Sequence, residues 1–293
     1  MSTYTLLLDG DWILYAAGFV GQRKKLVYVD PSLFDEPYYP ATMTEAKKEC
    51  GDAFSMSNLY ERWEVEPEYS FYATAKSMID TQIHKVADKF DVPAEQVVVR
   101  IFVDGDGNYR SRLATIRPYK GTRSAHSKPL MYNHLRSYLI DAWNAEVVYD
   151  QEADDAMAIA QTQATGNTII VGVDKDMLQV PGWHLNPNKG FKFISEKEGM
   201  YRLFEQAAMG DAVDNIAGAY KVGAKAAGKV YRDCTMDEHQ CWDALVDIYQ
   251  QTIDKHGNKY GGLTAEEAAL ENMRLVYLRR HENEKWVAPG HRN

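Results

Sequence analysis

Four short runs of apolar, β-branched or aromatic residues punctuate the first part of the chain: Thr5–Leu8, Val97–Val103, Glu146–Tyr149 and Thr168–Val173. Runs of this length and composition predict buried strands. Between them the apolar period lengthens to that of a helix. Ser70–Phe90 spaces Ala75, Met78, Ile79, Ile83, Val86 and Phe90 along one face, and Leu130–Trp143 and Ala153–Gln163 follow the same pattern. Strands that alternate with helices predict an α/β fold, a mostly parallel sheet flanked by helices. This core is expected to occupy residues 1–200. Within it, residues 21–64 carry four tyrosines, mixed charges and prolines at positions 31, 37 and 40, and read as an insertion.

After about residue 200 the strand-like runs stop. Leu203–Met209 and Ala224–Tyr231 predict helices on either side of a glycine-rich turn that begins at Gly210 and passes through Gly218 and Gly223. The pattern predicts a helix–hairpin–helix element, whose amides and helix N-terminus suit a phosphate. Asp237–Gln250 and Thr264–Arg280 predict further helices, so residues 201–293 are expected to form a helical lobe that carries the hairpin.

The chemistry enters at the strand ends. Each predicted strand runs into acid: Asp9 and Asp11 after the first, Asp104 and Asp106 after the second. Asp150, Glu152, Asp154 and Asp155 follow the third, and Asp174 and Asp176 the fourth. In a parallel sheet all carboxyl ends lie along one edge, where open α/β folds place their ligands. Acids remote in sequence should therefore meet in space. Carboxylates gathered in a cleft need protons or cations to offset their repulsion. An all-oxygen donor set selects hard ions, Mg²⁺ or Mn²⁺, and the lack of His or Cys beside these acids disfavours zinc. Asp211 and Asp214 are one helical turn apart and can face the same site. Taken singly, each motif has a plain structural explanation. Asp9-Gly10 suits a turn, and acids opening a helix at Glu152 suit its dipole.

Composition changes this picture in one place. The chain of 293 residues is 45% hydrophobic and 26% charged, with a net charge of −9, which on average argues against a nucleic-acid binder. Yet Gly107–Arg136 contains no acid and carries Arg110, Arg112, Arg117, Lys120, Arg123, Lys128 and Arg136. A solvated basic face explains such a stretch; a surface for an anionic ligand explains it better. Lys120 can stabilise charge on a phosphate, Arg123 can fork onto phosphate oxygens, and Tyr109, Tyr119 and Tyr132 can stack on bases. The three cysteines, Cys50, Cys234 and Cys241, fit no zinc spacing and read as free thiols. No apolar run is long enough to span a bilayer and the start lacks a signal peptide's basic region, so a cytoplasmic location is expected, with no membrane and no obligate protein partner.

In order, Leu6-Leu7-Leu8-Asp9-Gly10, Phe102-Val103-Asp104 with Tyr109-Arg110, Tyr119-Lys120-Gly121-Thr122-Arg123, Glu152-Ala153-Asp154-Asp155, Val173-Asp174-Lys175-Asp176 and Gly210-Asp211-Ala212-Val213-Asp214 with its glycine hairpin resemble the 5′-nuclease family. That family comprises flap endonucleases, the 5′-nuclease domain of bacterial DNA polymerase I and phage 5′-to-3′ exonucleases. The short length and the Asp9-Gly10-Asp11-Trp12 segment are most similar to the phage enzymes. The resemblance covers most of residues 5–230 and implies a PIN-like core with an arch-like basic segment over 107–136. It implies a metal site formed by Asp9, Asp104, Glu152, Asp154, Asp155, Asp174, Asp176, Asp211 and Asp214, with Asp106 as the alternative to Asp104. Two Mg²⁺ ions, replaceable by Mn²⁺, and a potassium ion at the hairpin are implied as well. Lys120, Asp174 and Asp176 would be catalytic. Arg110, Tyr119, Lys120, Arg123, Gly218, Gly223 and Lys225 would contact DNA with 5′ ends or flaps, or RNA in RNA–DNA hybrids. Ala16 stands where some relatives carry a phosphate-binding arginine, and residues 21–64 have no counterpart. Two alternatives compete. One is a haloacid-dehalogenase-type phosphatase with Asp9 as nucleophile and Asp11 as acid. It requires Gly-Asp-x-x-x-Asp after a strand, and the acids at 211 and 214 are one residue too close. The other is a non-catalytic DNA-binding protein on the same scaffold, which would have lost some of these acids; none is missing.

Overall fold

The computed structural model describes residues 3–66, 69–122, 128–231 and 235–290. In chain order the elements are β1 (Tyr4–Asp9), α1 (Gly10–Val20), β2 (Gln22–Tyr28), α2 (Met43–Cys50), β3 (Leu59–Val65), α3 (Phe71–Phe90), β4 (Val97–Asp104), α4 (Arg110–Leu113), α5 (Tyr132–Trp143), β5 (Glu146–Val148), α6 (Ala153–Thr162), β6 (Asn167–Val171), β7 (Gly182–Asn186), β8 (Gly190–Ile194), α7 (Glu196–Met209), α8 (Ala224–Tyr231), α9 (Glu238–His256) and α10 (Ala265–Val276). Among the described residues no helix is long and apolar enough to cross a membrane. Cys50 and Cys241 are buried thiols in no disulfide among the described residues, and Cys234 lies outside them.

Six strands form one sheet in the order β5-β4-β1-β6-β7-β8. The first five run parallel and only β8 returns antiparallel to β7. β1 lies between β4 and β6, with Leu8 level with Ile101 on one side and Val171 on the other. That position explains its sequence. A central parallel strand is covered on both faces, so Leu6, Leu7 and Leu8 are all fully buried instead of alternating. α6 packs on this sheet, and its Met157 and Ala158 meet Leu7, Phe102 and Ile170 in one apolar cluster. The α/β class and the four predicted strands match. β7 and β8 were not predicted. Gly182 and Gly190 open them and Pro181 precedes them, which weakens the strand pattern.

The expected division at residue 200 does not correspond to the compact units. Residues 1–12, 80–126 and 139–293 form one unit, and residues 13–79 with 127–138 form the other. α7 begins before residue 200, directly after β8, where Ser195 Oγ accepts the Glu198 amide at 3.2 Å. Gln179 then ties the sheet side to the last helix. Its Nε2 donates to the Val276 carbonyl at 2.9 Å and its Oε1 accepts from the Leu278 amide at 2.9 Å. Around α7, the side chains of Phe204, Tyr231, Leu245, Tyr249 and Met273 share a second apolar cluster with Trp286.

The second unit contains the whole of the segment that read as an insertion. It holds a two-stranded antiparallel ribbon, β2 with β3, and the short helix α2. Tyr28, fully buried, stacks on Phe54 at 5.5 Å and meets Phe34 edge-on at 6.2 Å. The exposed positions of the ribbon carry ion pairs, Arg23–Glu66, Lys24–Glu61 and Lys25–Glu64. Tyrosines and mixed charges in the sequence thus correspond to a small aromatic core beneath a charged ribbon.

Candidate metal centre

The parallel register puts the acids on one edge. Asp9 ends β1 level with Phe102, and Asp104 ends the adjacent β4. Glu152 is the N-cap of α6, just beyond β5, and Asp154 lies in that helix's first turn. Asp174 follows β6, and Asp176 opens a short 3₁₀ turn over Asp176–Gln179. Asp211 and Asp214 occupy the turn between α7 and α8. The chain holds several of these carboxylates from behind. Asp9 Oδ1 accepts the Trp12 amide at 3.2 Å, Asp104 Oδ1 accepts the Ala153 amide at 2.7 Å, and Asp174 Oδ1 accepts the Asp176 amide at 2.8 Å. Asp211 Oδ1 accepts the amides of Val213 and Asp214 at 2.6 and 3.1 Å.

The electrostatics fall into two groups that share one residue. Burial, then the charges of Asp11, Asp104 and Asp174, push the Asp9 carboxyl up to about 7 against the pull of the Trp12 amide. Burial and the charges of Asp9, Asp174, Glu152 and Asp104 raise Asp154 well above the carboxylate range. Asp176 is pushed up to about 7 by burial and then by Asp174, with Asp211 and Asp214 adding smaller effects. Asp174 acts on both groups. Of the two acids after β4, Asp104 is half-buried and acts on both Asp9 and Asp154, whereas Asp106 is exposed.

These carboxylates fit hard cations. They offer oxygen donors alone, and burial penalises the charged forms of Asp9, Asp154 and Asp176. Asp176 Oδ1 is buried with no hydrogen-bond partner, an orphaned acceptor facing the same group. Among the described residues no three or more His, Cys, Asp or Glu side chains are drawn tightly enough together to hold an ion as they stand.

A loop leading to Lys120 supplies part of that counter-charge. Lys120 Nζ pairs with Glu152 Oε1, and its amide donates to the Asp214 carbonyl at 2.8 Å. Its φ of +55° turns the backbone so that both contacts form at one residue. The Tyr119 hydroxyl lies 2.9 Å from Asp214 Oδ2 and 3.0 Å from Glu152 Oε2 and can donate to either. Burial and these two acids raise the Tyr119 phenol, which stays protonated. Asn108 Nδ2 adds a third donor to Glu152 at 2.9 Å. The loop is anchored from outside the cluster too: Asn215 Nδ2 donates to the Pro118 carbonyl at 2.9 Å, and Glu271 accepts the Thr115 and Ile116 amides at 2.8 Å. Nothing in the sequence marks Asn108, Asn215 or Glu271, because each acts through geometry that spacing does not encode.

Two expected site residues belong elsewhere. Asp155 is fully buried and bound bidentately by Arg110, Nη1 to Oδ2 at 2.6 Å and Nη2 to Oδ1 at 2.9 Å. Its oxygens also accept the amides of Arg279 and Glu152 at 3.1 and 3.2 Å, so no lone pair is directed at an ion. Adjacent residues on a helix point about 100° apart. With Asp154 turned to the sheet edge, Asp155 must turn to the core. Arg110, expected to contact DNA, is 1% exposed and spends its remaining donors on the carbonyls of Leu275 and Tyr277. Arg112 is exposed but forked onto Asp150 at 2.6 and 2.7 Å, so part of the basic stretch is neutralised within the chain. Arg123 lies outside the described residues.

The hairpin divides the same way. Gly218 is buried, and its amide donates to Asn272 Oδ1 at 2.8 Å, which removes it from any external contact. Gly210 and Gly218 take φ of +69° and +62°, and a Cβ on either would come within 2.5 Å of the other's backbone nitrogen. Glycine is required at both by close approach. Gly223, by contrast, is exposed at the start of α8, as is Lys225. The Gly210-Asp211 turn follows a helix and not a strand, which removes the arrangement the phosphatase alternative required.

The chain has the fold seen in two T5 structures. A structure of the T5 D15 protein co-crystallised with metal ions matches with a TM-score of 0.55 at 14% identity, covering 93% of this chain and 89% of that one. A lysine-to-alanine mutant of T5 5′-exonuclease matches with a TM-score of 0.52 at 13% identity, covering 94% of this chain and 87% of that one. No family model and no curated protein matches the sequence.

Proposed function

We propose that this protein is a metal-dependent nuclease that hydrolyses phosphodiester bonds in DNA at 5′ ends or flaps. What supports the reading is that Asp9, Asp104, Asp154 and Asp174, at or beyond the carboxyl ends of parallel strands, act on one another's charge, that Asp176 feels Asp174, Asp211 and Asp214, and that Lys120 and Tyr119 bond to Glu152 and Asp214. The fold shared with the T5 structures supports it.

Asp9, Asp104, Asp154 and Asp174 would hold one divalent ion, and Asp174, Asp176, Asp211 and Asp214 a second, Mg²⁺ by the chemistry of the donors with Mn²⁺ as substitute. Bound ions would supply an acidified water and offset charge on the phosphate. The chain's own contribution is positioning. Tyr119 orients Glu152 or Asp214 through the one proton of its hydroxyl, which lies within reach of both. Lys120 is a cation already parked at the cluster; exchanging Glu152 for a phosphate oxygen would place its ammonium where negative charge develops. Asp9 and Asp104 are oriented by helix N-terminal amides, which fixes their oxygens before any ion arrives. The exposed Gly223 and Lys225 at the start of α8 would lie against a duplex backbone, with the hairpin carbonyls as a seat for potassium. Roles in phage replication, DNA degradation or primer removal, action on RNA in hybrids and a cytoplasmic location belong to the same reading.

Digestion of 5′-end-labelled duplex and flap substrates with Mg²⁺, beside EDTA, Asp174→Asn and Lys120→Ala, tests it. Release of nucleotides by the wild type that EDTA and Asp174→Asn abolish is expected. No release by the wild type, or undiminished release by Asp174→Asn, overturns it.

A further inference from the structure

Next to Asp174 the same compact unit contains a cavity of about 270 Å³, between the turn after β6 and the β7–β8 hairpin. The volume is near the lower end of small-molecule sites, ~300 Å³. Its floor is apolar: Ile170, Met177 and Leu185 are each at most 2% exposed. Phe191 forms a wall, its ring held edge-on by Phe90 at 5.9 Å and Trp183 at 6.5 Å. The rim carries Lys175 and Lys189, both exposed and neither in an ion pair among the described residues. A third lysine, Lys192, is paired with Glu198 at 2.7 Å. Asp174 is the single acid among the lining residues.

A flat apolar group suits the floor and aromatic wall, and an anion suits the two ammonium groups. The space admits one base and not a stack of them. We propose that this cavity binds a single nucleoside 5′-monophosphate, the base against Phe191 and the phosphate on Lys189 and Lys175. Resting on the nuclease reading, the ligand is the mononucleotide released at the adjacent carboxylates, and its occupancy slows the next turnover. Binding itself requires no divalent ion, because the lysines and the apolar floor supply it.

The test is titration of dTMP and dAMP into the wild-type protein in EDTA, followed by calorimetry, with thymidine and inorganic phosphate as separate arms. Saturable binding of both monophosphates, with thymidine and phosphate each about tenfold weaker or worse, is expected. Lys189→Glu should weaken monophosphate binding about tenfold or more. In nuclease assays the same variant should digest DNA at the wild-type initial rate yet resist inhibition by added dTMP. Leu178→Trp, which fills the cavity from a partly buried position, should abolish binding with the thermal midpoint retained. Absent saturation, equal affinity for inorganic phosphate, or unchanged affinity in Lys189→Glu overturns the proposal. Monophosphate binding that responds to Lys189→Glu in a protein without nuclease activity sinks the nuclease reading and leaves the cavity's ligand standing. Nuclease activity without monophosphate binding sinks the cavity proposal alone.

Discussion

Arg110 and Asp155 form a buried fork in which two parallel hydrogen bonds, 2.6 and 2.9 Å long, join the short helix α4 to the first turn of α6. Neighbouring atoms satisfy the rest of both groups. Arg110 Nε donates to the Leu275 carbonyl and Nη2 to that of Tyr277, so the pair also fixes the end of α10. The charges of Asp155 and Glu152 hold the guanidinium ionised against a large desolvation cost. Such a pair stabilises little compared with apolar packing, but removing one member strands the other.

Arg110→Ala is therefore expected to destabilise the protein by about 3–5 kcal/mol, and Asp155→Asn to do so in the same direction. Replacing both with apolar residues, Arg110→Met with Asp155→Leu, should recover much of the loss. Urea denaturation of the three variants checks this. An Arg110→Ala protein of wild-type stability that binds DNA more weakly would return Arg110 to the DNA surface.

Asp154 is one residue from Asp155 and should behave in the opposite way. Its carboxyl faces Asp9, Asp174, Glu152 and Asp104, so without ions it adds repulsion. Asp154→Asn should raise the thermal midpoint in EDTA, whereas Asp155→Asn lowers it. Adding Mg²⁺ should stabilise the wild type, by about 2.7 kcal/mol at a hundredfold excess over its dissociation constant, and the Asp154→Asn protein much less. Equal stabilisation of both proteins by Mg²⁺ would remove Asp154 from the ion site.

The contrast between 154 and 155 shows what a sequence can and cannot convey. Acids at the ends of Leu6-Leu7-Leu8 and Ile101-Phe102-Val103 were legible because a parallel sheet lines up its carboxyl ends whatever the loops do. The rotation of a helix about its axis is not written in spacing, so Glu152, Asp154 and Asp155 read alike. For the same reason an acid-free stretch could not disclose that Arg110 is buried and Arg112 is forked onto Asp150. The ribbon formed by β2 and β3 was illegible because its cross-strand ion pairs, such as Lys24–Glu61, look in sequence like a polar loop. Gly218 read as a surface glycine, although its requirement comes from the backbone of Met209 and Gly210.

His184 on β7 supplies a pH prediction away from the carboxylates. It is 4% exposed, and its Nε2 lies 2.7 Å from the Val180 carbonyl. Burial pulls its pKa from 6.5 to about 4, outweighing the Val180 bond, with Lys192, Arg202 and Arg280 adding to the depression. Between those values the unfolded chain binds more protons than the folded one. Stability is then intact above pH 6.5 and falls as pH drops through 6.5 toward 4, by about 3 kcal/mol in full. Urea midpoints from pH 7 to 4 should show His184→Gln losing less stability than wild type across that window. Parallel curves for the two proteins would contradict the assignment.

Lys120 and Tyr119 touch the same carboxylate, yet their loss should register differently. Lys120 is partly exposed and pairs with Glu152, so Lys120→Ala costs little stability. If its ammonium transfers to a phosphate oxygen during the reaction, the variant loses about 10²–10³ in kcat with KM nearly unchanged. Tyr119→Phe keeps the ring and removes a hydroxyl shared between Glu152 and Asp214. The loss of one hydrogen bond should change stability by about 1 kcal/mol. Glu152 or Asp214 would then lose an orienting donor, and the concentration of Mg²⁺ needed for half-maximal rate should rise. Measuring rate against Mg²⁺ for both variants separates the two roles. A Lys120→Ala enzyme restored to full rate by excess Mg²⁺ would show that the lysine merely offsets carboxylate charge and never reaches the phosphate.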